Sequence, residues 1–482
     1  MLGTSFAVVV SLGLIQLATQ VCAKAVFAHY MLGYITEDHA HKDIDDAMAM
    51  GLDGFAINIG DPTGSYVNES LGYLFGYGNY VGFKLFVSMD LAASSGDPNI
   101  YNSLFKGLLG WNNYYRAGVN NYPVVSTFDS GGRTNTDFTS WLSVWGNQIF
   151  FIPDFDDTQG YYDAATGWWD YWGDVVDGLF SWESTWPSPG ATNDGDISRD
   201  QIVINGAKAH NKSYMMGLSL QQYKDSYGGN WYRKGELNLP RRMANILTMN
   251  PQPDLVEIIT WNDGPESHYI GNIWPEANGD QQAAIYASTA GADHTAIQPL
   301  LKSWITAYKN GGTSSSLRPP GSAPVGALWH KTIFQDVTCP GAGNGVQYFE
   351  KPGAFETGTD SLNWAVVVPS GASGWKAVLV SAGNTIQTIA LSPGFNYGST
   401  SSGVAEGTQR LLVRDGSGTT VAGTDRGRCM SHTCHDDIYN MNIQILGLKP
   451  TGQYNGGDCW QVSGTPVIDW STDTVTGISQ GP

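Results

Sequence analysis

Residues 261–269 read Trp-Asn-Asp-Gly-Pro-Glu-Ser-His-Tyr and set two carboxylates, Asp263 and Glu266, three positions apart with no basic residue between them. Cleavage of a glycosidic bond needs such a pair: one carboxylic acid protonates the leaving oxygen, and one carboxylate activates water or attacks carbon. Different surroundings, apolar for the acid and hydrogen-bonding for the base, let both work at one pH. Gly264-Pro265 forces a turn, so the two side chains are released from strand alternation and can reach one cavity from different heights. Trp261 offers either an apolar contact or a face for a sugar ring. Spacing alone carries little, because Asp-Gly-Pro followed by a surface glutamate is also an ordinary turn.

The elements that must hold this segment are legible upstream of it. Eight apolar runs read as strands: 25–34, 54–60, 83–90, 123–129, 148–156, 178–184, 213–221 and 255–263. Between them, 41–51, 136–146, 198–210 and 294–311 place apolar residues at helical spacing. Strands alternating with helices over this length predict a (β/α)8 barrel, an α/β fold of the TIM type; a doubly wound sheet is the rival, but no Gly-x-Gly-x-x-Gly follows the first strand. The runs stop at His29 and Tyr30, Asn58 and Asp61, Asp90, Asp129, Asp154 and Asp156, Trp182 and Glu183, Gln221 and Tyr223, then Trp261, Asn262 and Asp263. In a barrel these C-terminal ends converge on the face where chemistry is done. Asp and Asn also close strands as turn residues and helix caps, but polar ends on most of eight runs exceed what turns require. From these ends and the motif, His29, Tyr30, Asn58, Asp154, Trp182, Glu183, Gln221, Tyr223, Trp261, Asn262, His268 and Tyr269 are the candidates to touch a substrate.

Gly311–Gly326 is rich in Gly, Ser and Pro and reads as a linker over 311–326. Beyond it, residues 327–482 carry alternating β-branched runs separated by Gly, Ser and Asn turns, which predicts an all-β, sandwich-like domain. Residues 312–482 hold 9 basic and 12 acidic groups, so the acidity of the chain belongs mainly to the barrel over 24–310. The apolar stretch from Phe6 to Ala18, followed by Val21-Cys22-Ala23, reads as a signal peptide over 1–23. After its removal Cys339, Cys429, Cys434 and Cys459 remain; two disulfides are expected, with three pairings possible and a four-thiolate zinc site as the rival. Asn68-Glu69-Ser70 and Asn211-Lys212-Ser213 are glycosylation sequons.

A net charge of −19 repels nucleic-acid phosphates and anionic lipid, so neither is an expected partner. Charged residues make up only 14% while aromatics reach 12%, which argues against disorder and suits an extracellular protein that handles sugars. His39-Ala40-His41 reads as a helix entry rather than a metal site. Asp154, Asp156 and Asp157 lack the glycine and glutamate of a calcium loop, as does Asp194-Gly195-Asp196. No Gly-x-Ser-x-Gly elbow follows any of the eight strand runs, and no phosphate-binding loop is present. No metal or cofactor is therefore expected. The aromatic group Trp168-Trp169-Asp170-Tyr171-Trp172 suits a glycan cleft and a core equally.

The segments VFAHYMLGYITEDHAHKDIDDAMAMGLDGFAINIGDP (26–62), FKLFVSMD (83–90) and ITWNDGPESHYIG (259–271) resemble, in order and spacing, glycoside hydrolase family 71, the fungal α-1,3-glucanases or mutanases. The resemblance covers roughly residues 25–310. It implies a secreted barrel enzyme that hydrolyses α-1,3-glucan internally with inversion, with Asp263 and Glu266 as the catalytic pair and Asp90 supporting them. By similarity to the paired-acid motif of family 99, Glu266 is expected to be the general acid and Asp263 the base. Inversion predicts carboxyl groups roughly 6.5–9.5 Å apart, against about 5 Å for retention. The polysaccharide is the expected partner, and a monomer the expected state. Another α-glucan as substrate, or an inactive glucan-binding lectin, are the alternatives. Sugar binding by the C-terminal domain would draw on Trp329, Trp364, Trp375, Trp460 and Trp470.

Overall fold

The structure is a computed structural model that describes residues 24–461, except 164, 277–280, 288–290, 344 and 436, together with the short strands Val467–Asp469 and Thr474–Thr476. The predicted leader over 1–23 and Trp470 lie outside the described residues.

All eight predicted runs contain a strand: Ala25–Met31, Gly54–Ile59, Lys84–Asp90, Tyr122–Phe128, Phe150–Phe151, Gly178–Ser181, Ser213–Leu218 and Leu255–Ile258, called here the first to eighth. They pair in parallel within one nine-stranded curled sheet, whose remaining member, Arg116–Ala117, is a short antiparallel addition to the fourth strand. The first strand pairs with both the second and the eighth. The fifth strand stops early, at Phe151, and meets the sixth through a single bridge, Asp154 to Phe180, with Phe180 N donating to Pro153 O over 2.9 Å. Pro153 has no N–H to give a ladder, which accounts for the short fifth strand. Helices return between strands. Glu37–Met50 is capped by Thr36 and ended by a left-handed Gly51, and Ser198–Ala209 and Gln298–Lys309 fall within their predicted windows.

Alternation along the first strand sorts its side chains. Phe27 packs on Phe86 inside the sheet at 5.0 Å, whereas Tyr30 faces outward and donates to Asp43 Oδ2 of the first helix over 3.1 Å. Trp168, Trp169 and Trp172, on the helix Thr166–Trp172, are buried in the core and serve packing, while Tyr171 beside them is exposed.

The C-terminal region is a separate antiparallel sheet of eight strands in one continuous order, from Asn384–Ala390 at one edge to Gly394–Thr400 at the other. Its inner face encloses Leu328, Trp364, Val366, Leu379, Val413 and Leu446. A sandwich would divide these strands between two stacked sheets; here one sheet curls round its own core. Its strand Val325–His330 begins within the predicted linker, and Trp329 is buried with its Nε1 donating to Glu236 O over 2.8 Å. Trp364 is buried on the opposite face of the sheet, with Leu328 and Val366, so neither Trp329 nor Trp364 offers a free face to a sugar. The cysteines pair as Cys339–Cys434 and Cys429–Cys459. The first of these joins a second buried cluster that contains Tyr223, Tyr232 and Tyr269 from the parallel-sheet loops and Ile333, Phe355, Tyr439 and Met441 from the C-terminal region. The two regions thus share a core above the strand ends.

Candidate active site

After Ile258 the chain does not leave the sheet but folds into a closed loop. Thr260 N donates to His268 O (2.9 Å), Ile270 N to Thr260 O (3.0 Å) and Gly271 N to Trp261 O (2.7 Å). A Cβ at Gly271 would lie 2.3 Å from Trp261 Cε2, so only glycine allows this closure. Asn262 pins the loop to the end of the first strand, accepting from Met31 N (2.8 Å) and donating to Met31 O (3.1 Å). At the loop tip Glu266 N donates to Asp263 Oδ1 over 3.0 Å, and Ser267 adopts a left-handed conformation that turns the chain back.

Asp263 and Glu266 line a cavity of about 210 Å³ together with His29, Met31, Asn58, Asp90, Phe128, Trp182, Lys224 and Pro265. Phe128 and Trp182 meet edge to face at 4.8 Å and form its apolar wall. Asp90 is buried, receives Ala93 N at 2.8 Å, and is pushed above the usual carboxylate range by that burial.

The two carboxylates of the motif have opposite surroundings. Glu266 accepts from Gln222 Nε2 (2.5 Å) and Lys224 Nζ (3.2 Å), and His268 Nε2 lies 3.2 Å from it. Burial acts to raise Glu266, but the hydrogen bond and charge of His268, the Lys224 ammonium and Gln222 outweigh it and hold the group at about 2. Asp263 is pushed upward, first by burial, with the Glu266 charge adding to it against His268 and Lys224. In the free site Glu266 is therefore the group held ionised and Asp263 the one pushed upward, whereas a Glu266 acid with an Asp263 base would need the opposite order. One carboxylate oxygen each of Asp263 and Glu266 and a ring nitrogen of His268 lie within 4.8 Å of one another. The Glu266 N to Asp263 Oδ1 bond folds one residue back on the other. Among the described residues this trio is the group compact enough to hold a cation. Lys224 already supplies positive charge to Glu266, so an ion there would face an ammonium.

Lys224 and Gln222 come from a hairpin, Gln222–Ser226 with Gly229–Arg233, that sequence reading missed. They are two apart on one strand and so share a face. Tyr227 and Gly228 at its tip both have positive φ, the conformation of a two-residue hairpin turn. Its sequence signal is Tyr-Gly-Gly-Asn at 227–230 between alternating runs, beyond the strand end expected at Gln221.

Of the remaining candidates, His29, Asn58 and Trp182 reach the cavity and the others do not. Trp261 is fully buried and packs on Phe55 at 5.1 Å. Tyr30 is turned to the first helix, and Asn262 is spent on the backbone of Met31. Tyr269 donates to Ala292 O (2.6 Å) and stacks on His294 at 4.1 Å. Gln221 donates to Met441 O (3.2 Å), and Tyr223 packs on Tyr286 while its N–H bonds Glu266 O (3.1 Å). His268 acts through Glu266 and stacks on Trp186. Glu183 pairs with Arg233 at 2.6 Å, and Asp154 is buried away from the cavity. Asn68 and Asn211 are both exposed. His39 stacks on Trp274 at 3.7 Å and bonds Glu276, a helix-start arrangement.

Known proteins are similar to this chain in sequence. A glucan endo-1,3-α-glucosidase of Schizosaccharomyces pombe is 31% identical over 307 residues, covering 60% of this chain and 66% of that protein. A mutanase of Penicillium rubens is 28% identical over 460 residues and 92% of each chain. An endo-α-mannosidase of family 99 from Bacteroides thetaiotaomicron superposes with a TM-score of 0.46 at 12% identity, over 60% of this chain and 98% of that one. Residues 22–456 match the sequence profile of glycosyl hydrolase family 71, and the chain belongs to that family.

Proposed function

We propose that this protein is an endo-acting glycoside hydrolase that cleaves α-1,3-glucosidic bonds of glucan, with Asp263 and Glu266 as its acid–base pair and Asp90 in support. The single observation that carries the reading is the paired carboxylates with opposed surroundings in one cavity at the strand ends. The names of the two relatives, a glucan endo-1,3-α-glucosidase and a mutanase, supply the substrate class. In this reading the curled sheet is a (β/α)8 barrel over 24–310, 311–326 is the connection, and 327–482 is an accessory β-domain. Secretion fits the two disulfides and the wall location in the name of a third relative, an ascus wall endo-1,3-α-glucanase 30% identical over 270 residues.

A glucosyl unit enters against Phe128 and Trp182, whose apolar faces suit the C–H face of the ring. Asp263 delivers its proton to the departing oxygen, and Glu266, ionised by Lys224, His268 and Gln222, serves as base. Glu266 activates the water that attacks the anomeric carbon, with inversion.

The test is product analysis of the purified protein on insoluble α-1,3-glucan beside α-1,4-glucan, β-1,3-glucan and α-mannan, with Glu266→Gln as control. A series of α-1,3-linked oligosaccharides from wild type alone is expected. Firm binding without release from any glycan would replace the enzyme with a lectin. The anomer first formed, read by NMR, separates inversion (β) from retention (α).

A further inference from the structure

The strand interior holds a titratable couple that the acid–base step leaves unused. His29 on the first strand and Glu257 on the eighth are each about 1% exposed, with Nδ1 2.6 Å from Glu257 Oε1. Their other polar atoms, His29 Nε2 and Glu257 Oε2, are buried without a hydrogen-bond partner. A buried unpaired polar atom is destabilising and calls for an explanation. The two orphans sit differently. Glu257 is enclosed by the strands and is not among the residues that line the cavity. His29 lines the cavity beside Asp90, Asn58 and Trp182, with its ring edge-on to Trp182 at 4.9 Å. Since Nδ1 is held by Glu257, Nε2 is the atom left to meet a ligand.

We infer that His29 Nε2 carries a proton and donates it in a hydrogen bond to a hydroxyl oxygen of the glucosyl unit in the cavity, and that Glu257 is the positioning residue that keeps the proton there. This deepens the glucan reading and rests on it for the identity of the sugar. The proton count follows from burial. An isolated charge in the strand interior is costly, so the couple is most stable when it is neutral overall. Neutrality is met in two ways, imidazolium with carboxylate or imidazole with carboxylic acid. In both, Nδ1 and Glu257 share one proton and Nε2 holds the other. Loss of the second proton would leave a net negative couple close to Asp90. The groups that set this balance are Glu257, Asp90 from the third strand, Asp263 and Glu266 from the loop and Lys224 from the hairpin, all around the same cavity apart from Glu257 beneath it.

The imidazole nitrogens of full-length protein report the proton directly by 15N NMR, with the His29→Gln spectrum identifying the signal. Nε2 should carry a proton in wild type, and Glu257→Leu, which offers Nδ1 no partner, should let the proton exchange between the two ring nitrogens. A lone pair on Nε2 in wild type, or a proton still fixed on Nε2 in Glu257→Leu, overturns the inference. Kinetics give the second arm. His29→Phe should lower kcat/KM on α-1,3-glucan oligosaccharides roughly ten-fold or more, mainly through KM, and His29→Gln, which keeps a donor, should recover part of it. Equal loss in both variants, or an unchanged KM, counts against a donor. If wild type cleaves no α-1,3-glucan, the glucan reading fails while the NMR arm still decides the proton.

Discussion

Two acidic clusters close strand ends in this protein. Asp154 and Asp156 follow the fifth strand and meet Glu183 from beyond the sixth; Asp263 and Glu266 follow the eighth. In the first cluster, burial pushes Asp154 far up and Asp156 to about 6, with neighbouring carboxylates adding to both. Asp156 Oδ2 is taken by Tyr162 OH (2.6 Å) and Glu183 N (2.7 Å), and Arg233 is spent on Glu183. None of these acids lines the cavity beside the motif. In the second cluster a lysine, a glutamine and a histidine ionise one acid while its neighbour is pushed upward. Carboxylates at strand ends are therefore common to both, as is a cation paired with one acid, Arg233 with Glu183 and Lys224 with Glu266, and what separates them is that the second pair lines an opening.

The strongest way to break this division is at the pair itself. Asp263→Asn and Glu266→Gln should each lower kcat on α-1,3-glucan by roughly 10²–10⁴-fold, the range of a lost general acid or base. Azide should restore turnover to Glu266→Ala and not to Asp263→Ala if Glu266 is the base; the opposite pattern would return the acid role to Glu266. A smaller effect is expected one step out. Lys224→Met removes a charge that lowers Glu266, so the acidic limb of kcat/KM should move to higher pH by roughly 1 unit or more. An unmoved limb would mean that the ammonium does not govern the ionisation of the base.

How much of this division was legible in the sequence differs by element. The strands were, because their apolar runs are continuous and end in polar residues, and so was the Asp263–Glu266 pair. The cavity wall was only half visible: His29, Asn58, Asp90 and Trp182 lie at or near strand ends, but Phe128, the last residue of its strand, and Met31 look like core. Lys224 was invisible because it comes from a hairpin after the seventh strand, whose turn was hidden by reading Gln221 as a terminus. Trp261, Tyr269 and Asn262 close the loop instead of meeting the cavity, and beside a pair of carboxylates an aromatic or amide that closes a loop looks the same in sequence as one that meets a ligand. Gly271, whose lack of a side chain lets Trp261 fold beneath the loop, was the clue that this tryptophan faces inward.

The mildest expected effect comes from the first cluster, and its sign sharpens the contrast. Asp156 is raised from 3.8 to about 6 in the fold, so between roughly pH 4 and 6 the folded protein binds more protons than the unfolded chain, and stability falls as pH rises through that window. Glu266 runs the other way. Lowered from 4.5 to about 2, it contributes stability that is present above its unfolded value and is lost as pH falls toward 2. Asp156→Asn keeps an amide oxygen for Glu183 N and removes the ionisation. It should leave kcat/KM on α-1,3-glucan within about two-fold and flatten the decline of Tm between pH 4 and 7, with Asp154 sustaining what slope remains. Thermal unfolding of the two proteins across that range measures it. A loss of turnover in Asp156→Asn comparable to that of Glu266→Gln would mean that both clusters serve the reaction, and that an opening is not what divides them.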